Sequence, residues 1–314
     1  MEKSELLRYI INLPITSIGL AEEMLSGGFR SIFRGKGMEF DEARHYQAGD
    51  DIRTIDWNAS ARFGYPFVKM YREERELTIL LLIDISPSMH SGSVTRSDSG
   101  KPGLTPYEQA LICASLIAFS AEHTGQRAGS FFFDKDVEKI FLPSKGRKNI
   151  MIQIMTGLQF QKNEIQQSNR GKTHYSSNIA AALITAQRLL KKRALVVVIS
   201  DFFSINWEHE MAALCRKHDC IALRICGPRK VPYHGLITLE DPETGIRMET
   251  PAGLDSFKHN WENWHNERFF HWESQCRKCG AAFLDITTEV DAPAVLKKFF
   301  SSRNSGQYRR RKKI

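Results

Sequence analysis

Two runs decide most of what this chain can fold into: "TILLLIDI" at 78–85 and "ALVVVISDFF" at 194–203. Each is apolar throughout and strand-sized. Such runs suit strands buried on both faces, as in a parallel sheet covered by helices. The segments around them alternate accordingly. "TPYEQALICASLIAFSAEH" predicts a helix that Thr105 caps, with Pro106 at the first position and Glu108 completing a capping box. "RAGSFFFD" and "VEKIFLP" read as strands joined by a tight "DKD" turn, and "GRKNIMIQIMTGL" as a helix. "SSNIAAALITAQRLLKKR" predicts a helix capped by Ser176, Ser177 or Asn178. Beyond it come a helix at "WEHEMAALCRKH", a strand at "CIALRIC" and a hairpin around "DPETG". The long helix "DSFKHNWENWHNERFFHWESQCRKCG", the strand "AAFLDIT" and the helix "DAPAVLKKFFSSR" follow. The expected fold is α/β, a doubly wound and mostly parallel sheet over residues 78–303.

The first 77 residues differ. A short helical start leads into a stretch dense in Arg, Asp, Gly and aromatics with little helical period, read as a small β-rich lobe. Residues 304–314 form a basic tail holding Arg309, Arg310, Arg311, Lys312 and Lys313. That tail explains most of the net charge of +8: without it, 39 basic residues face 36 acidic ones. The body is nearly neutral, so no nucleic-acid groove is implied. The tail itself is expected to be a disordered solubilising segment or, at most, a weak contact to anionic lipid. No run reaches the roughly 18 apolar residues of a membrane span. The start "MEKSELLRYIINLP" lacks signal-peptide character, so a cytoplasmic location is expected. The 6 cysteines include a C-x-x-C at Cys276 and Cys279, with no second pair at zinc-site spacing, and free thiols are expected.

The strand at 78–84 runs straight into "DISPSM", placing Asp84, Ser86 and Ser88 at its carboxyl end. Open α/β sheets keep their ligands there. One carboxylate and two hydroxyls are hard oxygen donors suited to Mg2+ or Mn2+. Three ligands are too few for an octahedral ion. Two further loops offer more: Thr173 in "GKTHYSSN", and Asp201 after the second apolar strand. The plainer alternative is that Asp84 and the serines form an Asx-type turn or cap the following helix.

In order and placement, "DISPS", "GKT" and "SD" resemble the metal-ion-dependent adhesion site of von Willebrand factor A domains. The resemblance implies that Ser86, Ser88 and Thr173 bind the ion directly, and Asp84 and Asp201 directly or through water. A longer signature narrows it. "GKGMEFDEARHYQAGDDIRTIDWNASAR" is similar to the bacterial family called domain of unknown function 58, matching at Gly37, Glu39, Phe40, Arg44, Tyr46, Gly49, Asp50, Asp51, Arg53, Ile55, Asp56, Trp57 and Arg62. The similarity runs from about residue 30 to about residue 300, and the polar loop at 90–104 is long beside it. Asp50, Asp51, Arg53, Asp56, Trp57 and Arg62 are expected to form either a partner surface or a hydrogen-bonded network between the lobe and the α/β domain. An interlobe network would bury Trp57.

Two functions follow as expectations. The first is a non-enzymatic adaptor whose ion takes a partner's Asp or Glu. Members of the family commonly accompany MoxR-type AAA+ ATPases, so the resemblance implies such a partner and a chaperone-like or maturation role. The alternative is a metal-dependent phosphoester hydrolase built on Asp84 and Asp201. The chain has no Walker A motif and no second carboxylate cluster, and His174 is the only histidine adjacent in sequence to a proposed ligand.

Overall fold

The computed structural model describes residues 3–26, 38–47, 49–73, 77–91, 103–167, 177–227, 236–240, 246–251 and 253–304. The Thr173 and His174 turn, Gly37, residues 92–102 of the long polar loop and the tail from residue 305 lie outside them. Two compact units divide the chain. Met1–Gly28 and Leu77–Ile314 form the larger, and Phe29–Glu76 the smaller.

The chain opens with helix α1 (Lys3–Ser26). Leu6, Ile10, Leu13, Ser17, Leu20 and Ala21 are buried along one face at helical spacing. In the small unit, β1 (Met38–His45) pairs antiparallel with β2 (Phe67–Glu73), and α2 (Trp57–Phe63) lies between them in sequence. The large unit continues with β3 (Thr78–Asp84), the single turn α3 (Pro87–His90), α4 (Pro106–His123), β4 (Arg127–Phe133), β5 (Val137–Ser144), α5 (Arg147–Gln167) and α6 (Ile179–Leu189). It ends with β6 (Leu195–Ser200), α7 (Glu208–Lys217), β7 (Asp219–Cys226), the hairpin β8 (Leu236–Glu240) and β9 (Arg247–Pro251), α8 (Asp255–Cys279), β10 (Ala282–Thr287) and α9 (Ala292–Asn304).

The main sheet has the order β10-β7-β6-β3-β4-β5, parallel except where β5 returns beside β4 as a hairpin edge. From β3 the chain winds outward to β4 and β5. It then re-enters at β6, on the other side of β3, and winds the opposite way. The β3/β6 junction is therefore the topological switch point. Side chains alternate between two covered faces. Leu80, Leu82, Phe131, Phe133, Val196 and Val198 pack with Ile179, Leu183, Met211, Leu214 and Trp272 from α6, α7 and α8. The opposite face carries Ile79, Leu81 and Ile83, also buried, beneath α4. The capping box on α4 forms as expected: Glu108 N–H donates to Thr105 Oγ1 and Thr105 N–H to a Glu108 carboxylate oxygen. Asn178 caps α6 by accepting from the Ala181 N–H. All six cysteines are free.

One boundary needs correction. Sequence pattern alone groups the first helix with the small lobe, as residues 1–77. Helix α1 instead belongs to the large unit, where it packs against α4 and α9. Ser120 Oγ on α4 donates to the Ser17 carbonyl at 3.2 Å. The cause is the apolar row on α1: one helix cannot bury such a face alone, and α4 supplies the matching surface.

In the small unit the acidic signature residues are spent locally. Asp50 accepts from Arg44 at 2.6 Å and from the Gln47 N–H at 2.9 Å, and the Arg44 bond pulls its pKa down. Asp51 caps the short 3-10 turn at Ile52–Thr54 through the Arg53 N–H, and Asp56 caps α2 through the Asn58 and Ala59 N–H groups. Arg53 and Arg62 are exposed. Trp57 opens α2 with 67% of its surface exposed, so its own unit provides no pocket for it. Two of the three carboxylates serve as helix caps because a backbone N–H at a helix start outcompetes a solvated guanidinium for a short acidic side chain.

Candidate functional site: an oxygen cluster at the switch point

β3 and β6 deliver their last residues to the same end of the sheet, and Asp84 and Asp201 arrive there together with four serines. Asp84 is fully buried. Its Oδ1 accepts from the Ser86 N–H at 2.9 Å and its Oδ2 from Ser200 Oγ at 2.6 Å. Ser200 Oγ in turn accepts from the Phe202 N–H at 3.0 Å. Ser177 Oγ, buried at the start of α6, lies close enough to favour the Asp84 carboxylate, yet reaches full hydrogen-bond geometry with no partner. Ser86 Oγ and Ser88 Oγ stand 3.0 Å apart. Asp201, also buried, accepts from the Phe203 N–H at 3.0 Å through Oδ1.

The electrostatics are lopsided. Burial pushes the Asp84 pKa up, and the Ser200 and Ser86 hydrogen bonds oppose that shift. No ion pair reaches Asp84 among the described residues. Arg224, a buried cation on β7, is paired with Asp285 of β10 at 3.2 Å. A carboxylate sealed from water needs a positive charge or a proton. The hydroxyls around it are hard donors that would share an ion's coordination. Among the described residues no group of three or more His, Cys, Asp and Glu side chains is arranged to hold a metal, so any ion here would rest largely on hydroxyls.

Asp84, Ser86, Ser88 and Asp201 are thus brought together, while Thr173 lies outside the described residues. Asp84 does form the Asx-type turn of the plainer alternative. Ser86, however, sits at the N-cap of α3 and its side chain makes no capping bond. The loop after β6 is under backbone strain: Phe202 and Asn206 have φ of 55° and 62°. For Phe202 this conformation costs roughly 1–2 kcal/mol. Its ring is held by Trp207 and Trp272, at centroid distances of 5.2 and 5.5 Å. Two supporting residues lie outside the set the sequence offers as ligands. Ser200 is the one polar side chain of β6, and that is its readable signal. Ser177 reads in sequence only as a helix cap. On the other flank, burial pushes His90 down to about 4, and its ring lies 4.3 Å from that of Tyr107.

An α/β fold of this strand order, with a hydroxyl-rich oxygen cluster at its switch point, is the class of protein the geometry defines. The chain belongs to the family described as "Protein of unknown function DUF58", which matches residues 42–268. It is 28% identical over 303 residues to "Uncharacterized protein Mb1516" of Mycobacterium bovis and, equally, to "Uncharacterized protein Rv1480" of Mycobacterium tuberculosis, covering 94% of this chain and 88% of each relative. Among solved structures it is similar to conserved hypothetical protein BatB from Bacteroides thetaiotaomicron, with a TM-score of 0.43, 15% identity, and coverage of 72% of this chain and 98% of that one. It is also similar to the SpRpn10 VWA domain, with a TM-score of 0.35, 10% identity, and coverage of 71% and 93%. No helix among the described residues is long and apolar enough to cross a membrane.

Proposed function

We propose that this chain is a non-enzymatic, cytoplasmic protein-interaction adaptor that holds Mg2+ or Mn2+ through Asp84, Ser86, Ser88, Thr173 and Asp201 and so binds an Asp or Glu of a partner. The observation that carries this reading is the buried Asp84 carboxylate, ringed by hydroxyls and, among the described residues, facing no cation. The bound ion would supply an open coordination position to a partner carboxylate. Ser200 orients Asp84 and opposes the burial that raises its pKa. Ser86 and Ser88 present paired hydroxyls, and the orphaned Ser177 hydroxyl is a donor with room for one more partner. Hydroxyl ligands leave an ion more electropositive than carboxylates would, which favours capture of an external acid. By the family resemblance the partner is a MoxR-type AAA+ ATPase, and the work is chaperone-like assembly or maturation. In this reading the signature residues Asp50, Asp51, Arg53, Asp56, Trp57 and Arg62 shape the small unit and leave Arg53, Trp57 and Arg62 for contact with a partner.

The test has two stages. Calorimetry should show divalent-ion binding to the wild type and its loss in Asp201→Ala, with a smaller loss in Thr173→Ala. A pull-down with purified MoxR-type ATPase should then succeed only with wild type in magnesium. Equal retention by the variants or in chelator would refute ion-dependent docking, and magnesium-dependent turnover of phosphate esters would refute the non-enzymatic reading.

A further inference from the structure

Helix α8 is longer than the sheet it covers. Its 25 residues span about 37 Å, whereas the six residues of β10 span about 20 Å. The surplus lies at its amino end. Trp272 packs on Phe202 just past the end of β6, and Trp264 stacks on Phe203 with centroids 6.1 Å apart. Residues 255–263 therefore run on for roughly 13 Å beyond the strand ends. The stripe that buries Trp272 and Cys276 in the core continues through Arg268, His265 and Trp264 and onto this overhang as Trp261 and Phe257. No carboxylate falls at those stripe positions.

The loop after β6 completes the surface. Its two left-handed residues turn Phe202 into the core and leave Phe203 and Ile205 outside, Ile205 with 78% of its surface exposed. Trp264 is 43% exposed. The Arg268 guanidinium lies over both rings, 4.2 Å from the Phe203 centroid and 5.1 Å from that of Trp264. The Phe203 N–H that bonds Asp201 Oδ1 is part of the same loop, so this wall and the oxygen cluster are one continuous structure. Strain spent to expose two apolar side chains beside a candidate ion ligand has the signature of an interface, since folding alone would bury them.

We propose that Phe203, Ile205, Trp264 and Arg268 form the second half of the docking surface, and that its occupant is a partner segment carrying an Asp or Glu with a large apolar side chain close by in its sequence. The acid would go to the ion, and the apolar side chain to the wall. The ion that takes the acid and the absence of carboxylates from the stripe favour an acidic segment over a basic one. Aromatic and Arg anchors of this kind carry most of the energy in protein interfaces. The inference rests on the ion-dependent reading above and adds the partner's sequence chemistry.

A displayed library of random peptides, panned on the full chain in magnesium and eluted with chelator, tests it. Recovered peptides should pair an acidic residue with a nearby Phe, Leu, Ile, Met or Trp. A synthetic copy should lose about tenfold in affinity for Trp264→Ala and for Ile205→Ser, and about as much when its own apolar residue becomes Gly. Both variants should bind Mg2+ like the wild type in calorimetry. Ile205→Ser guards against misfolding, because that side chain is almost free of the core. Chelator-sensitive peptides that lack the apolar residue, or that ignore both variants, overturn the wall and leave the ion reading standing. Failure of the wild type to bind Mg2+ sinks both. Failure to recover any chelator-sensitive peptide, or peptides that hold the wall equally in chelator, overturns the combined surface.

Discussion

His90 should make the stability of the protein depend on pH in a way that can be isolated with one substitution. The residue ends the single-turn helix α3, two positions after Ser88, and its Nε2 is sealed from solvent with no hydrogen-bond partner. Burial moves its pKa from 6.5 to about 4, while a hydrogen bond to the Ile85 backbone pulls the other way more weakly. The neighbouring Tyr107 ring cannot compensate an imidazolium, because burial pushes that phenol far up and its O–H is committed to the Gly157 carbonyl at 2.7 Å. The folded pKa is therefore depressed. Between about 6.5 and about 4 the unfolded chain binds a proton that the native state refuses, so this group costs stability as pH falls through that window. Taking those two values, the loss between pH 7 and pH 5 is about 2 kcal/mol. Asp84 runs in the opposite sense. Its folded pKa is raised, so the metal-free fold gains stability as pH falls toward and below that pKa. The wild-type slope mixes the two, and His90→Phe removes only the first. Urea unfolding followed by tryptophan fluorescence should show the wild type losing about 2 kcal/mol more than His90→Phe between pH 7 and pH 5. The lost Ile85 bond shifts the variant's curve by a constant and leaves this difference intact. Parallel pH profiles would refute the reasoning, as would a His90 titration near 6.5 by NMR.

Ser200→Ala should weaken Mg2+ binding and destabilise the fold by about 1–3 kcal/mol, because it strips a buried carboxylate of its 2.6 Å donor; calorimetry and thermal unfolding check the two effects. Asp84→Ala should also destabilise by a similar amount, roughly 1–3 kcal/mol, because it leaves the Ser200 O–H and the Ser86 N–H without their acceptor. In the small unit, Asp56→Ala should cost about 1 kcal/mol through its two capping bonds, while Trp57→Ala should fall within about 0.5 kcal/mol in denaturant unfolding. Gly129→Ala should be among the most damaging single changes. A Cβ there would stand 2.5 Å from the Phe141 carbonyl oxygen and 2.6 Å from the Pro143 nitrogen on the adjacent strand, and a loss of about 1–3 kcal/mol or more should appear as a lowered Tm.

What the sequence determined by itself was set by local physics. Aliphatic runs with no polar alternation could only be strands covered on both sides. The Thr105–Glu108 box had to start a helix, and "DISPS" and "SD" had to end strands that carry oxygens to one edge. These features depend on neighbours a few residues away, so spacing reveals them. The tertiary structure decided everything that depends on who lies opposite. It set Ser200 and Ser177 beside Asp84, although they are distant in sequence, and it sealed that carboxylate with no cation among the described residues. It took α1 into the large unit because its apolar row met α4, and in the small unit it committed Asp51 and Asp56 to helix caps. It also carried the aromatic stripe of α8 past the end of the sheet, since a helix rises 1.5 Å per residue while its length is unconstrained by the strands it covers. Burial is a sum over contacts between segments far apart in the chain, and no local pattern contains that sum.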